Sequence, residues 1–328
     1  MKKIAIIGAG MTAFALSNML KNKFKLSIYE KSRGVGGRMA TRRADPFMFN
    51  HGAQYFKITT ESFKQFLNPL IQKKIIKPWI ANFVEINKDI MVKKNNWTLA
   101  TGHFRGHPKM NSVLKYFAQF FEVNLSVKVK KVEKINNNWY IHDSNGNSFG
   151  PYDWVVFTIP PLQAAEILNK NFKYFDIISN IKMKSCYSLM LGFNEIKSIS
   201  FDVALITNGD VGWFSKSITE SNNKKFTNIL INSSYDFAEK NILSCKAQVE
   251  KYLIKKASDI FKVQLNNYEH KAIHFWRYAI NEECNKYGSF LDSNLKIVVC
   301  GDWCTNGNVE GAFLSAEDAS NKILRLVT

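Results

Sequence analysis

The chain has 328 residues, of which 46% are hydrophobic and 22% charged, the proportions of an ordinary soluble globular protein. This length predicts about two domains, and no stretch reaches the roughly 18 uninterrupted apolar residues that a membrane-spanning helix requires. The formal net charge is +18, but most of the excess is lysine spread along the whole chain. Arginine, which suits bidentate contacts to phosphates and guanines, is scarce. We therefore expect no nucleic-acid binding and no membrane insertion, although the basic surface would attract an anionic substrate.

The N-terminal segment MKKIAIIGAGMTAFAL imitates a secretory signal, with two lysines before an apolar run. No small-residue cleavage site follows, and the glycines fit a nucleotide-binding turn better. The five cysteines are odd in number and form no Cys-x-x-Cys pair, which argues against a disulfide framework or a zinc site. These features predict a cytoplasmic protein.

Strands and helices alternate at both ends of the chain, and a β-rich region lies between them. Between Cys186 and Phe237, short alternating runs separated by turn residues are typical of an antiparallel sheet. Helices are predicted over 11–22, 61–76, after Pro108, from Leu162 and over 242–262. The other strands are predicted over 3–7, 25–30, 80–86, 89–93, 127–135, 138–143, 153–159, 270–280 and 296–302. This order predicts an α/β protein with two interleaved domains.

The segment IAIIGAGMTA has the G-x-G-x-x-A pattern of a dinucleotide-binding turn between a strand and a helix. Gly8 permits the tight turn, Gly10 lets a pyrophosphate approach the backbone, and Ala13 allows the helix to pack closely on the strand. Glu30 ends the next strand about twenty residues on, where a carboxylate can accept from both hydroxyls of an adenosine ribose. Since a 2′-phosphate would be repelled there, NADP is not expected in this turn.

The loop KSRGVGGRMATRR follows directly and contains Gly36, Gly37 and Arg38. A domain that binds only a nicotinamide dinucleotide has no need of this loop. A longer cofactor such as FAD does, because the glycines allow close approach and Arg38 can hold the pyrophosphate.

A second nucleotide-binding segment, VVCGDWCTNGNVEGAFLSA, lies near the C-terminus and runs from an apolar strand through an Asn/Gly-rich loop into a helix. Asp302 at the strand end can accept from ribityl hydroxyls. The helix N-terminus would point N–H groups at the N1/O2 edge of a flavin, where negative charge accumulates on reduction. FAD is long enough to need both segments, so we interpret them as two halves of one site. The residues expected in this second half are Gly301, Asp302, Asn308, Val309, Gly311 and Ala312.

Together these segments resemble the renalase branch of the FAD-dependent amine oxidase superfamily. The landmarks cover nearly the whole chain: IIGAGMTA, EKSRGVGGR, FNHGAQYF, GHPKMNSVLKYFA, DWVVFTIPPLQA, FWRYA and GDWCTNGNVEGAFLSA. The resemblance implies a Rossmann-like FAD-binding domain, with p-hydroxybenzoate hydroxylase-like topology, interleaved with a substrate domain built on an antiparallel β-sheet. We assign residues 1–60, 100–165 and 277–328 to the FAD-binding domain, and residues 61–99 and 166–276 to the substrate-binding domain.

The resemblance also implies contacts with non-covalent FAD outside the two glycine-rich turns. The backbone around Val129 would contact the adenine, and small residues of the HGAQ segment would lie beside the isoalloxazine ring. Asn50, Lys57 and Lys109 replace the usual aspartate, threonine and glycine of the family, so we expect the substrate contacts to differ from the family pattern more than the flavin contacts do. With the second half-site, the predicted FAD contacts are Gly8, Gly10, Met11, Thr12, Ala13, Glu30, Lys31, Gly37, Arg38, Gly52, Ala53, Gln54 and Val129.

Five residues are candidates for the substrate pocket. Gln54 and Tyr55 follow the small residues expected beside the flavin. His274, Trp276 and Tyr278 alternate along one strand, so all three can share one face. A buried strand in the first case and a plain core stripe in the second are the alternative interpretations.

Two further features were considered as sites. His103 and His107 in HFRGH resemble a metal-binding pair, but Gly106 and Pro108 prevent one helical face and no carboxylate supports them. We therefore predict no metal site. Cys304 lies near the expected flavin, but a single thiol does not predict covalent attachment.

No second G-x-G-x-x-G turn follows a strand, so a nicotinamide donor would have to enter the substrate cavity itself. We predict an FAD oxidoreductase that passes hydride from a small cyclic or amine-type donor to the flavin, with dioxygen as acceptor. The resemblance implies dihydronicotinamide isomers, with hydride at ring position 2 or 6, as donors that are oxidised to NAD(P)+. The basic surface, through Arg105 and Arg277, would favour such an anionic nicotinamide-type donor. The alternatives are an amine oxidase or desaturase-like flavoprotein acting on another small substrate, and a flavin-binding protein without turnover.

Overall fold

The computed structural model describes residues 1–327. The eight α-helices in this range are α1 Met11–Leu20, α2 Glu61–Gln72, α3 Ser112–Ala118, α4 Pro161–Ala165, α5 Phe175–Asn180, α6 Tyr235–Lys240, α7 Lys246–Phe261 and α8 Val309–Arg325. The strands are β1 Lys2–Ile7, β2 Phe24–Glu30, β3 Arg42–Ala44, β4 Phe47–Phe49, β5 Phe56–Lys57, β6 Ile76–Pro78, β7 Ala81–Asn87, β8 Ile90–Trp97, β9 His103–Gly106, β10 Glu122–Leu125, β11 Val129–Ile135, β12 Asn138–Asp143, β13 Ser148–Tyr152, β14 Trp154–Phe157, β15 Met183–Phe193, β16 Val203–Thr207, β17 Val211–Ser221, β18 Lys224–Ser233, β19 His270–Asn281, β20 Ser289–Asp292 and β21 Ile297–Cys300.

A six-stranded sheet with the order β10-β2-β1-β14-β21-β20 forms the first half of the molecule. Its first five strands are parallel, and β20 runs antiparallel to β21. The central strands β14 and β21 are buried along their whole length, as their unbroken apolar sequences predict for strands covered on both faces. The carboxyl ends of β1, β2 and β21 therefore meet at one edge, where the glycine-rich turns begin.

Two helices from opposite ends of the chain cover one face of this sheet. Helix α1 is apolar nearly all round and almost wholly buried, because it lies between the sheet and α8. Helix α2 joins the same core, where the rings of Phe63 and Phe66 each lie 5.1 Å from the ring of Phe313 in α8. The proposed domain division stays a prediction, and this packing would move α2 from the substrate-binding to the FAD-binding domain.

The second half of the molecule is built on a seven-stranded sheet with the order β19-β15-β18-β17-β16-β7-β8. Its neighbouring strands are antiparallel except for β7 and β16, which are parallel. These two belong to separate excursions of the chain, and a parallel pair requires a long crossover. Helix α7, which begins later than the predicted residue 242, packs its apolar face on this sheet through Leu253 and Phe261.

The predicted α/β fold with a Rossmann-like domain and an interleaved antiparallel sheet is confirmed, and the chain crosses between the two halves several times. Smaller sheets lie beside them: β11-β12-β13, the hairpin β3-β4, and β5-β9-β6. In residues 1–327 no helix combines the length and the apolar character needed to span a bilayer.

Candidate functional site

The turn after β1 has the geometry that its glycines predict. Gly8 has a φ of 103°, and a Cβ there would lie 2.8 Å from side-chain atoms of Thr158 and Ile159, so only glycine fits. Gly10 caps the N-terminus of α1, and a Cβ there would meet nothing within 4 Å. Met11, Thr12 and Ala13, the first residues of the helix, are buried. The residues that follow β14 thus pack against Gly8, whereas no atom lies close to Gly10, where a pyrophosphate can approach the backbone.

Glu30 is buried at the carboxyl end of β2. One carboxylate oxygen accepts from Ala9 N and the other from Ser32 N, each at 2.9 Å. A carboxylate has about four acceptor positions, so both oxygens can still accept from ribose hydroxyls. Val127 N donates to the Glu30 carbonyl at 2.9 Å, which brings the chain leading to Val129 alongside. The Lys31 side chain instead extends to Gln163 in α4, with 3.3 Å between Nζ and Oε1.

The Gly-Gly-Arg loop lies directly against the first turn. A Cβ on Gly37, whose φ is 52°, would lie 3.7 Å from Gly10 Cα. On its other side the loop holds the HGAQ segment, because Ala53 N donates to the Arg38 carbonyl at 2.7 Å. A Cβ on Gly52 would lie only 2.0 Å from that carbonyl oxygen. Glycine at 52 is therefore required for this approach.

An ion pair between Arg38 and Asp302 joins the two predicted half-sites. The guanidinium binds both carboxylate oxygens, one of them with 2.9 Å between Nη1 and Oδ2, and also donates to the Ala279 carbonyl at 3.2 Å. The Arg38 side chain keeps 29% of its surface exposed, and Asp302 keeps 9%. Asp302 thus fixes the position of the guanidinium, part of which remains exposed to solvent.

Helix α8 begins at Val309, as predicted, and its first turn is held by two side chains. Asn308 Oδ1 accepts from Gly311 N at 2.7 Å, which is an ordinary N-cap. Glu310 is 6% exposed. Its carboxylate accepts from the backbone N–H and the hydroxyl of both Thr59 and Thr60, at 2.7 to 3.1 Å. Glu310 was not predicted from the sequence, because its partners Thr59 and Thr60 lie 251 and 250 residues away and leave no local signal.

These groups have the chemical character that the parts of FAD require, and they lie in the same order along the sheet edge. A carboxylate with spare acceptor positions, an open glycine backbone, a partly exposed guanidinium and the N-terminus of a 17-residue helix all lie along the carboxyl edge of the six-stranded sheet. They match a ribose, a diphosphate and a flavin edge that becomes anionic on reduction. The individual residue assignments stay predictions.

Gln54 and Tyr55 lie in an aromatic cluster between the two halves. Gln54 Oε1 accepts from Trp213 Nε1 at 3.1 Å and from the Ser215 hydroxyl. The Tyr55 ring stacks on Trp213, with 5.8 Å between centroids, and burial raises the pKa of its hydroxyl. The cluster, which we call the Tyr55 cluster, consists of Tyr55, Trp79, Trp97, His103 and Trp213. Only Tyr55 was identified from sequence, since the other members come from separate strands with no shared spacing.

His274 and Trp276 lie in a second group with His51. The His51 ring is 5.2 Å from Trp276 and 5.1 Å from His274, and Trp276 Nε1 donates to the His51 carbonyl at 2.8 Å. Burial, together with the positive charge of Arg42, lowers the pKa of both histidines to about 4. Both imidazoles are therefore neutral at pH 7.

Tyr278 differs from its two predicted companions because β19 contains a bulge. Trp276 pairs with Cys186 and Ile280 with Lys184, so β19 has extra residues between these pairs. The period-two alternation ends there, and the expectation that Tyr278 shares a face with His274 and Trp276 does not follow. Within residues 1–327, no ring contact joins Tyr278 or Tyr55 to Trp276.

His103 stacks on Trp97 with 3.8 Å between ring centroids, and Nδ1 lies 3.0 Å from the Thr101 hydroxyl. This packing explains a histidine at 103 without a metal.

Cys304 is buried, and burial raises the pKa of its thiol well above the usual value. A protonated thiol is a poor nucleophile, in agreement with the expectation of non-covalent FAD.

Comparison with known proteins identifies the family of this chain. The sequence pattern of the family described as flavin containing amine oxidoreductase matches residues 83–324, and that of an NAD(P)-binding Rossmann-like domain matches residues 6–70. Renalase from Mus musculus is 22% identical, with all of both chains aligned. Two solved structures of putrescine oxidase variants with redesigned cofactor binding have TM-scores of 0.74 and 0.70, with 11% identity and 99% of each chain covered. The chain therefore belongs to the flavin-containing amine oxidoreductase family, as a renalase-like, FAD-dependent oxidoreductase.

Proposed function

We propose that this enzyme oxidises dihydronicotinamide dinucleotides that carry their hydride at ring position 2 or 6, forming NAD(P)+, with dioxygen as the final acceptor. The bound flavin supplies the redox chemistry by taking up the hydride. The full-length similarity to a renalase supports the proposal. The main structural support for the proposal is the positive charge near the aromatic side chains that pack around the HGAQ segment.

The charges near the His51 group are cationic. Arg42 lowers the pKa of both His51 and His274, and Lys246 lowers that of His274 further. A protonated amine beside these residues would meet repulsion, whereas a donor with phosphates would be attracted. This distinguishes an anionic nicotinamide donor from the amines that other members of the family oxidise.

Arg105 offers a specific anion contact next to the Tyr55 cluster. Its guanidinium lies 5.5 Å from the Trp79 ring centroid and has no hydrogen bond or ion pair with any of residues 1–327. Asp202 is the carboxylate that acts on it, but Asp202 is already bonded to Asn82 and lies 3.7 Å from Lys216. Burial lowers the pKa of Arg105, which marks a guanidinium short of a close partner. We assign it to a phosphate of the donor.

The remaining residues of the two groups position the donor. Tyr55 and Trp213 present stacked faces of the size of a nicotinamide ring, and Gln54 fixes Trp213 through its indole N–H. The neutral imidazoles of His51 and His274 place no charge beside a ring that becomes cationic as it loses hydride. Direct hydride transfer requires no acid–base pair, so these side chains bind and orient the donor and exclude water.

The test is anaerobic mixing of the purified enzyme with 2- and 6-dihydronicotinamide dinucleotides, ordinary NADH and a set of primary amines. A decrease in the absorbance of the oxidised flavin after mixing reports hydride transfer. We expect rapid reduction by the isomers alone. Reduction only by amines would place the protein with the amine oxidases, and no reduction by any donor would indicate a flavin-binding protein without this activity.

A second experiment tests the anion contact. Arg105→Gln should raise KM for the dinucleotide donor about tenfold, the effect of losing one charge-assisted contact. The reaction with a dihydronicotinamide riboside, which lacks phosphate, should stay unchanged. Lys93→Gln on the exposed strand β8 removes the same charge elsewhere and serves as the control. An equal loss with both donors would contradict the assignment of Arg105 to phosphate.

A further inference from the structure

Asn281, the last residue of β19, has a buried amide without hydrogen bonds. The residue is 9% exposed, and neither Oδ1 nor Nδ2 has a partner within residues 1–327. It is the only side chain in this range with two buried polar atoms left unpaired. Buried polar groups are paired in the large majority of cases, so an amide with both ends unpaired indicates a partner outside the chain.

The amide lies against the loop that carries the second half-site. A Cβ on Gly307 would lie 3.3 Å from both Cγ and Nδ2 of Asn281. Gly307 N in turn donates to the Asp302 carbonyl at 3.0 Å. Two residues before Asn281, the Ala279 carbonyl accepts from Arg38. Asn281 therefore lies against the turn that precedes α8, and it is linked to Asp302 through Gly307 and to Arg38 through the backbone of Ala279.

An amide needs a partner of mixed chemistry, because its N–H₂ donates while its oxygen accepts. An anion alone would satisfy only the nitrogen. The segment of FAD that joins ribityl to diphosphate offers hydroxyls that donate and anionic oxygens that accept.

We propose that Asn281 is a binding residue for the ribityl–diphosphate segment of FAD. The residue lies outside both glycine-rich turns and would supplement Asp302 from the end of β19. The inference rests on the cofactor and is independent of which donor the flavin oxidises. Its tests therefore use no donor, and they would stand if the proposed substrate were wrong.

Replacing Asn281 should therefore weaken FAD binding without lowering the stability of the apoprotein. Without FAD the unpaired amide destabilises the protein, so Asn281→Leu should leave the thermal midpoint of the apoprotein unchanged or higher. With FAD the same variant loses its hydrogen bonds, so the FAD dissociation constant should rise about tenfold. A residue with a purely structural role would lower the apoprotein midpoint instead.

The experiment measures FAD binding by fluorescence titration of the apoprotein, and thermal unfolding of the same apoprotein samples. Asn285→Leu is the matched control, because Asn285 Nδ2 donates to the Trp303 carbonyl at 2.9 Å and its loss should lower apoprotein stability. Asn281→Asp is a second, nearly isosteric variant. Its carboxylate cannot donate and repels a diphosphate, so its dissociation constant should rise at least as much as that of Asn281→Leu.

Weaker FAD binding by both Asn281 variants, without loss of apoprotein stability in Asn281→Leu, supports the proposal. A dissociation constant within about threefold of wild type in Asn281→Asp overturns it, whatever the Leu variant does. Weaker binding that accompanies a lower apoprotein midpoint in Asn281→Leu also overturns it, since the residue would then act through the fold.

Discussion

The cofactor side and the proposed donor side of the site are built in different ways. On the cofactor side, the first glycine turn, the Gly-Gly-Arg loop and the HGAQ segment are tied together through backbone groups, as in the bonds from Gly36 N to the Ala9 carbonyl and from Ala53 N to the Arg38 carbonyl. On the donor side, the Tyr55 cluster and the His51 group are held by ring packing between distant strands. A backbone-defined site tolerates changes in surrounding side chains, whereas a site made of packed rings changes shape with each substitution.

This difference predicts that variants on the cofactor side change FAD affinity, and that variants on the donor side change the reaction of enzyme that remains fully loaded with FAD. The exception on the cofactor side is the Arg38–Asp302 pair, which depends on side chains alone. The largest effect is therefore expected there.

Asp302→Ala should raise the FAD dissociation constant roughly hundredfold, because it removes a ribityl acceptor and leaves a partly buried guanidinium without its partner, a change worth about 3 kcal/mol. Equilibrium dialysis followed by measurement of bound flavin checks this. Asp318→Ala in α8 is the control, since it removes a carboxylate that binds Lys322 at 2.7 Å and the Ser289 hydroxyl at 2.6 Å and is not among the predicted FAD contacts. Equal FAD contents in the two variants would show that Asp302 does not hold the cofactor.

Glu30→Ala should weaken FAD binding roughly tenfold to hundredfold, with an effect below that of Asp302→Ala, since one charge-assisted interaction contributes about 1.5–3 kcal/mol. Glu30→Gln should lose less because it keeps an acceptor for Ala9 N. The same titration measures both. Glu122→Ala, which removes an acceptor for the Ser27 hydroxyl on the neighbouring strand, should bind FAD normally. An equal loss in that variant would mean that sheet stability, and not Glu30, determines affinity.

Gln54→Leu tests the donor side. It leaves the buried Trp213 N–H unpaired, a cost of about 1–3 kcal/mol, and loosens the ring on which Tyr55 stacks. The Gln54 side chain is bonded to Trp213 and Ser215, so its predicted FAD contact would be made by its backbone, which the variant retains. We therefore expect bound FAD to stay at the wild-type level and kcat/KM for the donor to fall about tenfold. Gln54→Glu, which retains an acceptor for the indole, should keep more activity. A loss of FAD from Gln54→Leu would remove the distinction between the two halves.

The pH dependence of thermal stability tests the His51 group separately from FAD binding and turnover. His51 and His274 have pKa values of about 4 in the folded protein against 6.5 for a free imidazole. The folded state thus binds fewer protons than the unfolded state in this range, so the stabilisation is complete above 6.5 and is lost as the pH falls toward 4. Thermal unfolding across this window should show a falling midpoint, and His51→Phe, which keeps the ring stack on Trp276, should fall less steeply. An identical slope in the variant would exclude His51 as a source of the effect.

Much of the cofactor side followed from the sequence. A turn, a helix and a strand-end carboxylate within one β-α-β unit are separated by fixed spacings, so Gly8, Gly10 and Glu30 identify one another without knowledge of the fold. The apolar runs of β1, β14 and β21 likewise predicted buried parallel strands. The family comparisons confirm FAD and an oxidoreductase, as these motifs and the resemblance indicated.

Only the tertiary structure decided how the distant segments meet. Arg38 and Asp302 are 264 residues apart, and nothing in either segment indicates that they pair. The same holds for Glu310 with Thr59 and Thr60, because hydrogen bonds between separate elements leave no periodic signal. The bulge in β19 separates Tyr278 from Trp276 for a related reason: period two holds only while each residue has a partner across the ladder, and the sequence does not show where an extra residue enters. Local chemistry thus determined the cofactor, and long-range packing determined the arrangement of the residues proposed to bind the donor.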